Sequence, residues 1–392
     1  MPLNRSFSQI DINREEISQA ELNIDEKKRS NLFAWNGQFS PQFIEVMLDK
    51  YADVNSFVVD PFLGSGTVLG ECARKGIKVY GIELNVSAYF MAKTYEIANL
   101  SYEKQQEITL RIEGLFSSID TDTNIINTIL SEIKLSSSDT YKNLLSTTVI
   151  LMDLFYHGTT RELLWKKWDL LKSIIHQLPI SRKTIIAEHG DSRHMKLMDN
   201  SADLLITSPP YINVFNYHQK YRRSVETLGY NVLSIARSEI GSNRKNRGNR
   251  FLTVIQYCID MALSLQEASR VCKKNARMIY VVGRESSILG YYFCNSELIY
   301  NIGIEIFSFD FLLRQERVFK NRYGQMIYED ILHFSNNRHV SYSLQEVVEK
   351  ARGVALKMLE EKIDLPFENK NTSLLFEAIE KANNIMPSEE II

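Results

Sequence analysis

The chain has 392 residues, 44% apolar and 24% charged, and its 46 Lys+Arg against 48 Asp+Glu leave a formal charge of −2. With 17 Gly and 8 Pro, this balance excludes a disordered or collagen-like chain, and near-neutrality excludes bulk-charge binding to polyanions but not local basic patches. No long apolar run occurs and none opens the chain, so neither a membrane span nor a signal peptide is expected. Cys72, Cys258, Cys272 and Cys294 are scattered without metal or disulfide spacing, which fits a reducing cytoplasm and no metal site.

Residues 1–34 are polar and read as an extended arm with a short helix. Ser40-Pro41 then precedes apolar positions at helical spacing, with Ser40 as N-cap and Pro41 at the first helical position. Ser56–Asp60 reads as a buried strand, Val68–Lys75 as a helix ended by Gly76, Lys78–Glu83 as a second strand, and Val86–Asn99 as another helix. This alternation predicts an α/β fold with a doubly wound, mostly parallel sheet. Residues 101–180 break the rhythm and read as a helical insertion. Strands resume at Lys183–Ala187, Ala202–Thr207 and Arg277–Val282, with later ones expected at Gly303–Phe311 and Tyr328–Phe334. From Ser343 an amphipathic helix leads to an acidic end. The expected organisation is an arm (1–34), a catalytic domain (35–100 with 181–340), the insertion (101–180) and a C-terminal helical segment (341–392).

Three motifs stand out. Asp60-Pro-Phe-Leu-Gly64-Ser65-Gly66-Thr67 lies between a strand and a helix. Glycines there permit a tight turn and close approach of a ligand to the backbone, although an ordinary strand-to-helix turn needs no more. The turn lacks the Gly-Lys-[Ser/Thr] ending of a phosphate-cradling loop. Glu83, about 20 residues beyond and at the next strand end, stands where an acid accepts a ribose diol. Ser208-Pro209-Pro210-Tyr211 follows a buried strand. Two prolines stop the strand and fix carbonyls in a rigid arc beside a hydroxyl and a ring, an arrangement suited to a planar group bearing NH2 and equally to a rigid packing turn.

Taken together, the glycine turn and Ser208-Pro-Pro-Tyr211 resemble motifs I and IV of the amino-methylating DNA methyltransferases, which act on cytosine N4 or adenine N6 with S-adenosylmethionine. Trp35-Asn-Gly-Gln38-Phe39-Ser40-Pro41 resembles their motif X, and Gly190-Asp191-Ser192 their motif III. Arg317–Lys320 and Tyr328–Ile331 have a slighter likeness to the late strand region. The order X, I, IV with a long insertion resembles the arrangement in which target recognition occupies that interval. The resemblance implies a Rossmann-like methyltransferase fold. It further implies that Asp60 and Gly64, Ser65, Gly66 and Thr67 hold the methionine part of the cofactor, with Gln38, Phe39 and Ser40 lining that end. Glu83 would hold the ribose, Asp191 the adenine amine, and Phe62 would pack near the adenine. Ser208 and the Pro209 carbonyl would accept from the target amine, and Tyr211 would stack on a flipped base. Serine at the first position of motif IV leans toward cytosine N4, with adenine N6 the alternative. The two motifs, far apart in the chain, are expected to face one crevice.

Residues 211–250 carry eight cations against two acids. Among them Arg222, Arg223, Arg244, Lys245, Arg247 and Arg250 are candidate contacts to double-stranded DNA, beside the bland reading of a solvated loop. Trp165 and Trp168 share a helical face in the insertion and read as core or as part of a recognition surface. The implied function is a site-specific methylase of a restriction-modification system, with a cognate endonuclease as partner, or a solitary one. The competing functions are an RNA base methyltransferase and a catalytically silent DNA-binding subunit.

Overall fold

The computed structural model describes residues 7–155, 159–212, 217–241, 246–321, 324–337, 340–363 and 371–390. The chain divides into two compact units, Arg29–Gly190 with Asn216–Ala236, and Met1–Lys28 with Asp191–Phe215 and Arg237–Ile392. They are called here the glycine-turn unit and the proline-corner unit.

The glycine-turn unit contains β1 (Phe57–Asp60), β2 (Lys78–Glu83) and β3 (Ile185–His189), parallel and in the order β3-β2-β1. All four residues of β1 are buried, as a strand flanked by helices requires. Helix Pro41–Tyr51 starts with proline at its first position and buries Phe43, Ile44, Met47 and Leu48, each worth about 1.5–3 kcal/mol of burial. Ser40 precedes it with extended backbone but makes no side-chain cap bond. Helix Thr67–Lys75 ends at Gly76, whose φ of 62° supplies a left-handed cap. Asn85 caps helix Val86–Lys93 through the amides of Ser87 and Ala88, and residues Thr94–Asn99 tighten into a 3-10 turn.

The stretch expected to be helical forms helices Tyr102–Ser117, Ile125–Leu135, Asp139–Met152 and Arg161–Gln177. Caps at Ser101, Ser138 and Thr160 start three of them. Asp139–Met152 is buried along its last turns, from Asn143 to Met152. Thr147 donates to the Phe90 carbonyl at 3.0 Å. These helices are therefore part of the unit's core and not a detachable appendage. Trp168 is fully buried, Trp165 is half-buried, and both meet Phe116 edge-on at about 6 Å, so Trp168 is core and Trp165 packs at its margin.

The proline-corner unit contains β4 (Ala202–Thr207), β5 (Cys272–Gly283), a hairpin of β6 (Glu285–Ile288) and β7 (Tyr291–Cys294), then β8 (Asp310–Lys320) and β9 (Met326–Ser335). β4 and β5 are parallel, and β9 lies antiparallel between β5 and β8. The 20-residue helix Leu252–Val271 is buried over most of its circumference. Helix Leu344–Glu360 opens with a reciprocal Ser343–Glu346 capping box. Among the described residues each unit thus has parallel strands, β1–β3 in one and β4–β5 in the other, the latter extended by antiparallel β9 and β8. The fold is α/β, mostly parallel and flanked by helices, of the Rossmann-like class.

Two expectations change. The strand expected over Gly303–Phe311 begins only at Asp310, because Ile302–Ile306 is a π-helical turn continuing helix Asn295–Asn301 and burying Ile302, Gly303 and Ile306. A β-branched apolar run has the same composition in a buried helix as in a strand. The second concerns the polar N-terminal arm, which holds the expected short helix, Gln19–Asn23, and also bonds to β8. Asn13 donates to the Arg314 carbonyl at 2.7 Å, and the Val318 amide donates to Asn23 at 2.8 Å. The arm thereby satisfies backbone groups of β8 that would otherwise be exposed at an edge.

Candidate functional site

In the glycine-turn unit, β1 ends on Asp60, which is 1% exposed and accepts the Phe62 amide at 3.1 Å. The chain turns through Gly64 (φ 55°) and Gly66 (φ 92°) into helix Thr67–Lys75. A Cβ on Gly66 would stand 2.9 Å from the Ala92 Cα and from the Tyr95 ring, so both conformation and space demand glycine. Glu83 closes the turn from the end of β2. One carboxylate oxygen accepts the Gly64 amide and the other the Asn85 amide, each at 2.7 Å.

The upstream motif reaches the same turn. The Ser65 hydroxyl donates to the Gln38 side-chain oxygen at 2.5 Å, and the Gln38 amide donates to the Phe33 carbonyl at 2.9 Å. Phe39 is buried and stacks on Phe43. The Ser40 hydroxyl is buried without a hydrogen-bond partner among the described residues. Phe62 is half-buried.

The elements above the turn were only partly foreseen. Trp35 stacks on Tyr217 with centroids 6.0 Å apart, and Lys220 lies 4.6 Å over the Trp35 ring while donating to the Ala34 carbonyl at 3.0 Å. Burial lowers the Lys220 pKa. The Trp35 ring is also the nearest neighbour of a hypothetical Gly64 Cβ, at 3.7 Å.

In the proline-corner unit, β4 runs out at Thr207 into Ser208, Pro209, Pro210 and Tyr211. Pro209 is buried, and the other three are half-buried. The corner is held from several sides by residues remote in sequence. Tyr257 donates its hydroxyl to the Pro210 carbonyl at 2.8 Å. Asn295, fully buried, accepts the Ile212 amide at 3.2 Å and donates to the Gly283 carbonyl at 3.0 Å. The Tyr211 ring seats against Gly283 so closely that a Cβ there would approach it to 2.6 Å. Its hydroxyl is hydrogen-bonded to Glu329, which pairs with Arg317 at 3.2 Å. Burial pushes the Glu329 carboxyl up.

Asp191, expected at the cofactor adenine, is 4% exposed and already engaged. It accepts the Arg193 amide at 3.0 Å and the guanidinium at 2.9 and 2.6 Å. Arg193 also pairs with Asp260 at 3.1 Å and donates to the carbonyls of Ser388 and Glu389. Burial pushes the Asp260 carboxyl up to about 6.

The candidate DNA contacts are divided. In the glycine-turn unit Arg222 pairs with Glu226 at 2.8 Å and Arg223 is exposed. In the proline-corner unit Arg247 is exposed and Arg250 is half-buried. Arg244 and Lys245 lie outside the described residues. No group of three or more potential metal ligands occurs among the described residues, and none of their helices is long and apolar enough to cross a membrane.

A family model described as DNA methylase, of the N6/N4 type, matches residues 4–94. The Type II methyltransferase M.MjaII of Methanocaldococcus jannaschii is 35% identical over 66 residues, which are 16% of this chain and 12% of that protein. The chain thus spans only about an eighth of that relative's length. Among solved structures, a SAM-dependent methyltransferase of Methanosarcina mazei aligns at 10% identity and a TM-score of 0.36, over 74% of this chain and 96% of its own. Geranyl diphosphate C-methyltransferase of Streptomyces coelicolor A3(2) aligns at 8% identity and a TM-score of 0.33, over 75% and 79%. By the first of these matches, the segment that carries both Trp35–Pro41 and the Asp60–Thr67 turn is similar to the N6/N4 DNA methylase model.

Proposed function

We propose that the chain is a site-specific DNA methyltransferase that uses S-adenosylmethionine and acts on the exocyclic amine of an extruded base, with cytosine N4 the favoured target. The observation that carries this reading is that one chain holds both a glycine-built turn after β1 and a Ser-Pro-Pro-Tyr corner after β4. The donor set suits the cofactor. The amino end of helix Thr67–Lys75 favours a carboxylate, Glu83 stands at the end of β2 where an acid accepts ribose hydroxyls, and the orphan Ser40 hydroxyl offers a further polar contact. The bound cofactor supplies an electrophilic methyl group on a sulfonium.

The residues of the corner then answer a specific chemical difficulty. An exocyclic amine is a poor nucleophile because its lone pair is conjugated with the ring. Ser208 and the Pro209 carbonyl accept its two hydrogens, draw the nitrogen toward tetrahedral geometry and expose the lone pair. With that methyl group in line, the lone pair would form the N–C bond as the S–C bond breaks, and the nitrogen would shed a proton to solvent. This chemistry needs no covalent enzyme adduct, and burial raises the thiol pKa of all four cysteines. Extruding the base costs a few kcal/mol, and stacking on Tyr211 returns about 1–3 kcal/mol. The chemistry requires the donor held at the glycine turn and the base held at the corner to meet in line.

Arg222, Arg223, Arg244, Lys245, Arg247 and Arg250 serve the DNA backbone in this reading. Modification within a restriction system, with a cognate endonuclease, is the setting we infer. The test is transfer of labelled methyl to duplex DNA and to tRNA, followed by nucleoside analysis. N4-methylcytosine is expected in the duplex. N6-methyladenine would reassign the base, label in tRNA alone would reassign the substrate, and cofactor binding without transfer would point to a silent DNA-binding subunit.

A further inference from the structure

Glu329 stands on β9 directly opposite Gly283 of β5 in the antiparallel register, and no motif discussed above gives it a task. Three features converge there. Gly283 has no side chain, so the Tyr211 ring packs against the strand at a distance that a Cβ would forbid. Asn295 fastens the backbone immediately after the ring to the carbonyl of that same Gly283. Glu329 receives the Tyr211 hydroxyl on one side and the Arg317 guanidinium, at 3.2 Å, on the other. The Glu329 side chain is only 14% exposed and that of Arg317 10%, so neither partner is a freely swinging surface group. A stacking platform is useful only if its plane is fixed before the base arrives, because ordering a ring during the reaction costs entropy at the barrier.

We propose that Glu329 is a positioning residue for base capture, locking the plane of Tyr211 through its hydroxyl while Arg317 holds the carboxylate in place. The proposal rests on the methyltransferase reading given above. Glu329 touches neither base nor cofactor and acts through the tyrosine alone.

The experiment compares the full-length wild type with Glu329→Ala, Glu329→Gln, Tyr211→Phe and the double variant Glu329→Ala/Tyr211→Phe. It measures kcat and KM for duplex DNA and for S-adenosylmethionine. It also follows the fluorescence of 2-aminopurine placed at the target base, which brightens on extrusion. Glu329→Ala and Tyr211→Phe should each lower kcat about tenfold and dim the fluorescence, with KM for the cofactor unchanged. The double variant should be no worse than the worse single, the signature of two groups acting through one contact. Glu329→Gln keeps an oxygen acceptor and should recover most of the rate. The proposal is overturned by a normal kcat in Glu329→Ala or by losses that multiply in the double variant. A Gln variant as impaired as Ala, while it binds cofactor normally, would also overturn it. A wild type that transfers nothing to any DNA sinks the underlying reading instead, and with it the catalytic purpose of the tie. Fluorotyrosine at position 211 then still separates the two failures. Its resonance moves in Glu329→Ala if the contact exists and stays fixed if it does not.

Discussion

The glycine turn and the proline corner do comparable work by opposite means. The turn is built mostly from its own backbone. Its amides are met by near neighbours, Phe62 by Asp60 and Gly64 by Glu83, and its shape comes from two glycines with positive φ. The corner is stiff in itself but owes its placement to side chains far along the chain, namely Tyr257, Asn295 and Glu329. A loop that must wrap a small polar ligand benefits from glycine backbone that lets the ligand approach closely. A corner that must present carbonyls and a ring to a large, incoming base benefits from external bracing.

The sharpest way to break the comparison is to remove the turn's conformational freedom. Gly66→Val would force a left-handed φ on a β-branched residue and drive its Cβ to within 2.9 Å of the Ala92 Cα. Strain and overpacking together should cost about 2–5 kcal/mol. Thermal denaturation should show the drop, and cofactor binding by calorimetry should vanish. A stable Gly66→Val protein that binds cofactor would mean that the turn is not built as described.

Next in size is the chemistry at the corner. Ser208→Ala removes an acceptor for the target amine without disturbing the Pro-Pro geometry. Turnover should fall about a hundredfold or more, in the range of losing one aligned polar group in a reacting site. Cofactor affinity should stay at the wild-type value. Unchanged turnover would strip Ser208 of its role.

The bracing can be tested apart from the chemistry. Asn295→Ala leaves the Ile212 amide and the Gly283 carbonyl without their partner. Unmet buried polar groups cost about 1–3 kcal/mol each. The melting temperature should fall and kcat should follow, whereas Glu83→Gln should spare kcat at saturating cofactor and weaken cofactor binding about tenfold. Reversed outcomes would mean that bracing and ligand holding are not divided between the two regions as drawn.

This division explains what was legible in the sequence. The glycine turn is local, so Asp60, Gly64 and Gly66 announce it, and β2 was readable to the residue from Lys78 to Glu83 because strand, turn and cap follow one another. The braces are not local. Tyr257 lies mid-way along a helix that was not foreseen, Asn295 follows an unforeseen hairpin, and Glu329 is one acid among many until register sets it opposite Gly283. Trp35, Tyr217 and Lys220 were each visible as residue types, but only folding stacks them. The engagement of Asp191 by Arg193, two residues on, was within reach of the sequence, since neighbouring opposite charges after a strand end can close on each other.

The smallest expected effect concerns that same node, and it is a pH dependence. Asp260 has an ordinary carboxyl value of 3.8 and is pushed up to about 6 by burial, with Arg193 opposing the shift. An acid that titrates higher in the folded state than in the unfolded one binds more protons when folded between those two values. Stability from this group therefore rises as pH falls from about 6 toward 4, and is lost as pH climbs through 6. Most carboxylates paired in the native state pull the other way, so the contribution is best read as a difference. Asp260→Asn keeps an oxygen for Arg193 and for the Ser388 amide but cannot titrate. Subtracting its melting profile from that of the wild type across pH 4–7 should leave a slope confined to the 4–6 interval, with the wild type gaining ground toward acid. A flat difference would mean that Arg193 holds Asp260 fully ionised, and the node would then be a fixed ion triad with Asp191 as its second anion.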